Sequence, residues 1–246
     1  IRIATTVAAA LVALAPITAL AGTILPSLVP GDANRSVSAE AMTQEPGQSS
    51  AQSNDRSSSD LGLFDRIVSA TATTDNASAI ATADQISEIG EFSIIGEGIT
   101  DTFGSIELGC AYGEGSTAFS HVFGVEADTL ADVDFFALAF GDGADAMAQV
   151  ELFADGQSIF SASAMSSDGV ERFDAPNAMQ ILLEAGVEYE IVALAEVAGQ
   201  IDEGPGFFEA DAEFQFSLNI VPEPGTLALI APGLVVLAMR RRRELR

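Results

Sequence analysis

Few side chains in this sequence could do chemistry, and their spacing says more than their number. Cys110 is the only cysteine and His121 the only histidine in 246 residues, so a thiol activated by an imidazole requires these two to meet in the fold. Cys110 lies in Leu108-Gly109-Cys110-Ala111-Tyr112, a strand-like stretch, and is expected as a buried apolar residue. His121 alternates with aromatics in Phe119-Ser120-His121-Val122-Phe123 and is expected half-exposed on a strand. Acids gather at Asp128, Asp132, Asp134, Asp142 and Asp145, and Asp142-Gly143-Ala144-Asp145 could offer two carboxylates to calcium, although no EF-hand spacing is present. There is no nucleophile elbow, zinc motif or phosphate loop, and nothing singles out a carboxylate pair for glycoside hydrolysis. No catalytic residue is therefore assigned, and the chain is expected not to be an enzyme.

The remaining candidate is a peptide that another enzyme could read. In Val221-Pro222-Glu223-Pro224-Gly225 the prolines fix two φ angles and remove two backbone donors, so neither strand nor helix runs through and Glu223 stands on an extended, exposed segment. Behind it come the uncharged run Thr226 to Met239 and the basic cluster Arg240, Arg241, Arg242 and Arg243. Such a cluster stays on the cytoplasmic side of a membrane, which places the rest of the chain outside. A spanning helix takes about 20 apolar residues, and this run reaches that length only if counted from Pro222.

These three elements, in this order at the C-terminal end, resemble a PEP-CTERM sorting signal. The resemblance covers residues 222–246. It implies recognition by an exosortase, a membrane transpeptidase-like enzyme of Gram-negative bacteria that make exopolysaccharide. An ordinary tail anchor would need the apolar run and the arginines but not the Pro-Glu-Pro preface. At the other end, Arg2, the apolar run Val7 to Leu20 and the small residues Ala19 and Ala21 before Gly22 form a secretory signal peptide with an A-x-A cleavage site for signal peptidase. An N-terminal anchor helix is the alternative, but Pro16 and the small residues favour cleavage. The expected course is an inner-membrane-anchored precursor that ends at the cell surface or in the extracellular matrix.

Between the signals lie four arginines against 34 acids, a net charge of −30, with no lysine anywhere. Such a surface repels nucleic acid and anionic lipid and tolerates salt, which screens the self-repulsion. A saline habitat or a biased genome would each account for it. One cysteine permits no intrachain disulfide, so packing must supply stability.

Four segments are expected: the signal peptide at 1–21, a disordered polar linker at 22–60, a β-sandwich at 61–221 and the sorting signal at 222–246. The linker expectation rests on Gly31 to Asp60, rich in Ser, Gln, Asn and acids with almost no large apolar side chain. Residues 66–83 suggest two small-residue strands around Asp75-Asn76, with a helix from Ala77 to Ile89 as the competitor. From Glu91 onward the period is 2, in runs at 92–95, 105–112, 118–125, 133–140, 148–154, 157–164, 179–183, 187–197 and 208–220. Asp155-Gly156 is a type I′ hairpin signal. Phe208, Ala210, Ala212, Phe214, Phe216, Leu218 and Ile220 alternate with polar residues, giving one core face and one wet face. The fold class is therefore all-β, an antiparallel β-sandwich of jelly-roll type. Val133-Asp134-Phe135-Phe136-Ala137-Leu138, Val150-Glu151-Leu152-Phe153-Ala154-Asp155-Gly156 and Leu183-Glu184-Ala185-Gly186-Val187-Glu188-Tyr189 are similar to segments of galactose-binding-like and pre-peptidase C-terminal sandwiches of secreted bacterial proteins. A carbohydrate- or calcium-binding module is the alternative function. The absence of tryptophan weakens sugar binding, because indole faces usually stack on pyranose rings.

Overall fold

The computed structural model describes residues 27–221. Ala19, Ala21 and Gly22 of the expected cleavage site, Pro222, Glu223, Pro224 and Gly225 of the motif, and Arg240 to Arg243 lie outside the described residues. The described chain is all strand: β1 Leu28–Glu45, β2 Gln48–Ser58, β3 Gly62–Thr73, β4 Ala77–Ile89, β5 Ser93–Ile106 and β6 Cys110–Val125 in its first half. The second half holds β7 Thr129–Ala154, β8 Gln157–Asp168, β9 Arg172–Asp174, β10 Met179–Leu183, β11 Tyr189–Ile201 and β12 Gly206–Val221. All pairings are antiparallel, in the order β2-β1-β6-β11-β7-β12-β5-β4-β3. The sheet folds over on itself until β2 and β3 come side by side, so it nearly closes.

The spine is β7. Its first part pairs with β12, and after Gly141-Asp142-Gly143 its second part pairs with β11. Gly143 has φ +66°, and a Cβ on Gly141 would lie 2.2 Å from the Ala144 carbonyl oxygen, so the strand can bend here only with glycine. β8, β9 and β10 follow β7 in turn along its other side. The chain thus runs up one layer, bends over the far pole and descends the other. The turn into β8 is the one the sequence announces, with Asp155 at φ 47° and Gly156 at φ 75° and Ala154 paired to Gln157.

Packing of the core explains the register of β12 on β5. Phe208, Phe214 and Phe216 stand directly opposite Gly104, Gly98 and Gly96, and each ring lies across the bare backbone of its partner. A Cβ on Gly104 would sit 2.2 Å from the Phe208 ring, and one on Gly98 2.5 Å from Phe214. Aromatic rings that cover strand glycines fix pairing, because a slip by one residue would flip every ring to the solvent face. The other inner positions are largely alanine, among them Ala39, Ala41, Ala70, Ala81, Ala139 and Ala195.

Two expectations need correcting. Residues 28–58 are not a disordered linker but β1 and β2, and β1 lies between β2 and β6 inside the sheet. Val37, Ala39 and Ala41 of β1 are buried, and so is Arg35. Its guanidinium donates to the Gly62 carbonyl at 2.7 Å and to the Asp60 carbonyl, and lies 5.2 Å from the Phe64 ring centroid. Burial pushes its pKa down, opposed by the charge of Asp60. The run at 105–112 is broken, because the chain turns between layers at residues 107–109, with Gly109 at φ +106°. The strand pair at 66–83 is present as β3 and β4, in place of the competing helix.

Candidate functional surfaces

Strand alternation sends one face of β3, β4, β5, β12 and the first part of β7 outward, and that face mixes acids with large apolar side chains. Asp101 of β5 stands opposite Asp211 of β12. Both residues are exposed, but partial desolvation by their neighbours raises the pKa of both carboxyls; the Thr82 hydroxyl partly offsets this at Asp101, whereas Asp101, Glu213, Glu171 and Glu209 push Asp211 further up. Asp84 is raised too, by burial and then by Asp65. Such carboxyls hold protons better than free ones, which is a general-acid property. The charged groups acting on Asp211 are all negative, however, and no imidazole or thiol is near: His121 points into the core. Lower on the same face a shallow groove of about 340 Å³ is lined by Leu63, Ile86, Glu88, Ile95, Glu97 and Asp134.

The acids singled out in the sequence are dispersed. Asp128 accepts from the Ala185 amide at 2.8 Å and Asp132 from Gln180 Nε2 at 3.1 Å, so both tie β10 and its following turn to β7. Asp142 lies opposite Glu209 and Asp168, and Asp145 lies beyond the bend, opposite Ala198. Both are exposed. Among the described residues no group of three or more His, Cys, Asp or Glu side chains is placed to hold a metal ion.

Cys110 and His121 do not meet. They are eleven residues apart on β6, about 36 Å at a rise of roughly 3.3 Å per residue, and opposite faces of the strand carry them. Cys110 is half-buried at the first position of β6 rather than fully buried. His121 is fully buried rather than half-exposed. Its Nδ1 lies 3.2 Å from the Asp32 carbonyl oxygen. Burial lowers its pKa, the Asp32 contact opposes that, and the Arg35 charge adds to it. The half-exposed expectation fails because His121 shares the inward face of β6 with Phe119 and Phe123, and β1 paired beside it makes β6 an interior strand.

Sequence reasoning also missed Glu45. Its carboxylate accepts from Asn76 Nδ2 at 2.8 Å and from the Asn76 amide at 3.3 Å, joining the β1–β2 and β3–β4 turns. The Asn76 side chain, then Thr74, hold its pKa below the usual carboxylate range.

Neither a protein-family model nor a curated protein matches this sequence. Solved structures give only faint likenesses. An alpha-xylosidase from Xanthomonas citri aligns over 72% of this chain and 30% of its own, at 6% identity and a TM-score of 0.18. A structure of infectious bursal disease virus, Gx strain, aligns over 87% of this chain and 74% of its own, at 10% identity and a TM-score of 0.16. Likenesses at this level carry no functional argument.

Proposed function

We propose that this is an exported, exosortase-sorted structural protein of the cell surface or extracellular matrix, with no catalytic activity of its own. In this reading the described sheet is a jelly-roll ectodomain, residues 1–21 direct export, and the tail from Pro222 is a short membrane helix held by Arg240 to Arg243 until it is cut. Exopolysaccharide is the natural surrounding of such a protein. One observation supports the reading above others: Val221, the residue before Pro222, pairs with Leu130 next to the start of β7, so β12 brings the chain to one pole of the domain just before the motif. A processing enzyme needs an extended peptide free of the fold, and Pro222 and Pro224 have no amide with which to continue a ladder. The Leu28 amide donates to the Glu91 carbonyl at 2.8 Å and the Ile220 amide to the Phe92 carbonyl at 2.9 Å. Both ends of the domain therefore leave from one pole, beside the β4–β5 turn, as suits a domain passed out of a membrane and tethered close to it.

The test is the mass of the mature protein from its native host, with Glu223→Ala beside it. The expected product ends near the motif and lacks Arg246, and the variant accumulates as precursor. A mature chain that keeps Arg246 and is unmoved by the substitution leaves a plain tail anchor instead. Exposed rings at Phe103, Phe173 and Phe207 favour carbohydrate binding as a second reading. Calorimetry against neutral and acidic polysaccharides and calcium decides it, and no heat beyond dilution removes it.

A further inference from the structure

We infer that the free edge of β8 is a self-association surface, on which the β8 of a second copy of this chain pairs antiparallel and continues the sheet across two molecules. The inference is independent of the sorting reading. β8 bonds to β7 along one side, and among the described residues no strand bonds to the other. From Gln157 to Ser167 this edge carries no charged side chain and no proline. Folds normally guard a long edge with charge, proline or a covering element. This protein guards its other open seam in that way: β2 and β3 carry Asp55, Arg56, Asp65 and Arg66, Gln52 Oε1 accepts from the Thr71 amide at 2.9 Å, and Asn54 donates to the Ser69 carbonyl. β10 is guarded by its five-residue length and by Pro176 before it.

Charge selects the occupant. Two copies that each bear about −30 between residues 22 and 221 repel wherever carboxylates face each other, so the uncharged strip is where a like-charged copy is tolerated. The strip is also complementary to itself. An antiparallel pair centred on Ala162 sets Ser161 against Ser163, Phe160 against Ala164 and Ile159 against Met165. Ile159 is 47% and Met165 66% exposed in the single molecule, and each would cover the other. The hydrogen-bond phase agrees. The Ser163 amide points away from β7, since it donates to Asp174 Oδ2 at 3.1 Å. By alternation Ser161 points the same way, so in this register Ser161 and Ser163 form hydrogen-bonded pairs. Asp174 acts as a stopper that must leave Ser163 before a second strand can dock.

The test is sedimentation of the full chain in nonionic detergent at high salt over a range of concentrations. The expected result is a monomer–dimer equilibrium that Ser161→Pro weakens at least tenfold, because this substitution removes an outward donor the fold does not use. Asp174→Ala should strengthen it. Ser161→Asp, at an exposed position, gives the same weakening by charge and serves if the proline variant folds poorly. In a Cys110→Ser background, Ser161→Cys combined with Ser163→Cys should give an intermolecular disulfide, since hydrogen-bonded pairs place Cα atoms about 5.5 Å apart. A monomer at every concentration, or a dimer that both Ser161→Pro and Ser161→Asp leave intact, overturns the inference.

Discussion

Replacing Gly104 by alanine adds one methyl group at one of the tightest points of the core. The new Cβ would lie 2.2 Å from Cε1 and 2.3 Å from Cζ of Phe208, where carbon atoms rest at about 3.5–4.0 Å. The ring must retreat by more than about 1 Å to restore that contact, and it has no room to do so. On its other side it lies over Gly199, where a Cβ would come within 2.1 Å of Cδ2, and the ring is fully buried. Overpacking of this kind costs about 1–3 kcal/mol. The loss of glycine freedom in the unfolded chain returns about 0.4–1 kcal/mol, leaving a net cost of about 1–2 kcal/mol. For a domain of this size that lowers Tm by about 2–8 °C. With no tryptophan in the chain, far-ultraviolet circular dichroism during heating is the assay. Gly124→Ala is the control, since its Cβ would meet nothing closer than the Val187 carbonyl oxygen at 3.8 Å, and it should melt at or slightly above the wild-type temperature. Gly104→Ala combined with Phe208→Leu should be less destabilised than the two singles added together, by at least about 0.5 kcal/mol. A Gly104→Ala protein as stable as wild type, or strict additivity in the double variant, refutes the ring-on-glycine account.

Phe216 is 3% exposed and Ser217 points outward, so Phe216→Asp should cost several kcal/mol, about 3 or more, while Ser217→Asp should change Tm little; equal melting of the two would show the register of β12 to be wrong. Arg35→Met leaves the Asp60 and Gly62 carbonyls without their donor and should cost about 1–3 kcal/mol in chemical denaturation; an unchanged midpoint would show that the guanidinium holds nothing. Asp211 has a raised folded pKa, so its favourable contribution is full below its unfolded value near 3.8 and is lost as pH rises through the folded value. Asp211→Asn should therefore melt above wild type at pH 7, with the gap closing toward pH 4, and a gap that widens on acidification would reverse the sign assigned here. Glu45 works the other way: its depressed pKa gives stability that is present above about 4.5 and lost on further acidification, so Glu45→Gln should flatten the acid limb of a Tm–pH curve.

From residue 62 onward the fold was legible wherever large apolar side chains alternate with polar ones. β12, β10 and the Asp155-Gly156 turn emerge at or near their sequence positions because phenylalanine, leucine and a positive-φ turn leave strong marks. β1 was not legible because its inward positions are filled by Arg35, Thr43 and Glu45 as well as by small Val37, Ala39 and Ala41. The period is 2, but the side chains that carry it are weakly hydrophobic or polar. β2 has almost no apolar face and is held by its backbone ladder to β1 and by the amides of Gln52 and Asn54, which composition cannot reveal. His121 was misread along with β1, because pairing with that strand makes β6 an interior strand and leaves no open edge beside the inward-facing ring. Of the candidate sites, the acid cluster at 128–145 was visible as composition, but strand alternation and the bend in β7 scatter it. The opposition of Asp101 and Asp211 depends on the pairing of strands 110 residues apart in the chain, which no local pattern encodes.

The bend of the chain over the far pole has a mechanical consequence. β12 lies between β7 and β5, bonded to β7 from Glu209 to Val221 and to β5 from Gly206 to Asn219. A pull applied at Val221 against a load on the far pole runs along the strand axis, so both ladders are sheared at once and cannot be opened one bond at a time. A domain moored by that strand would resist flow and drag through a geometry that heating or denaturant does not probe, and its rupture force need not follow its melting temperature.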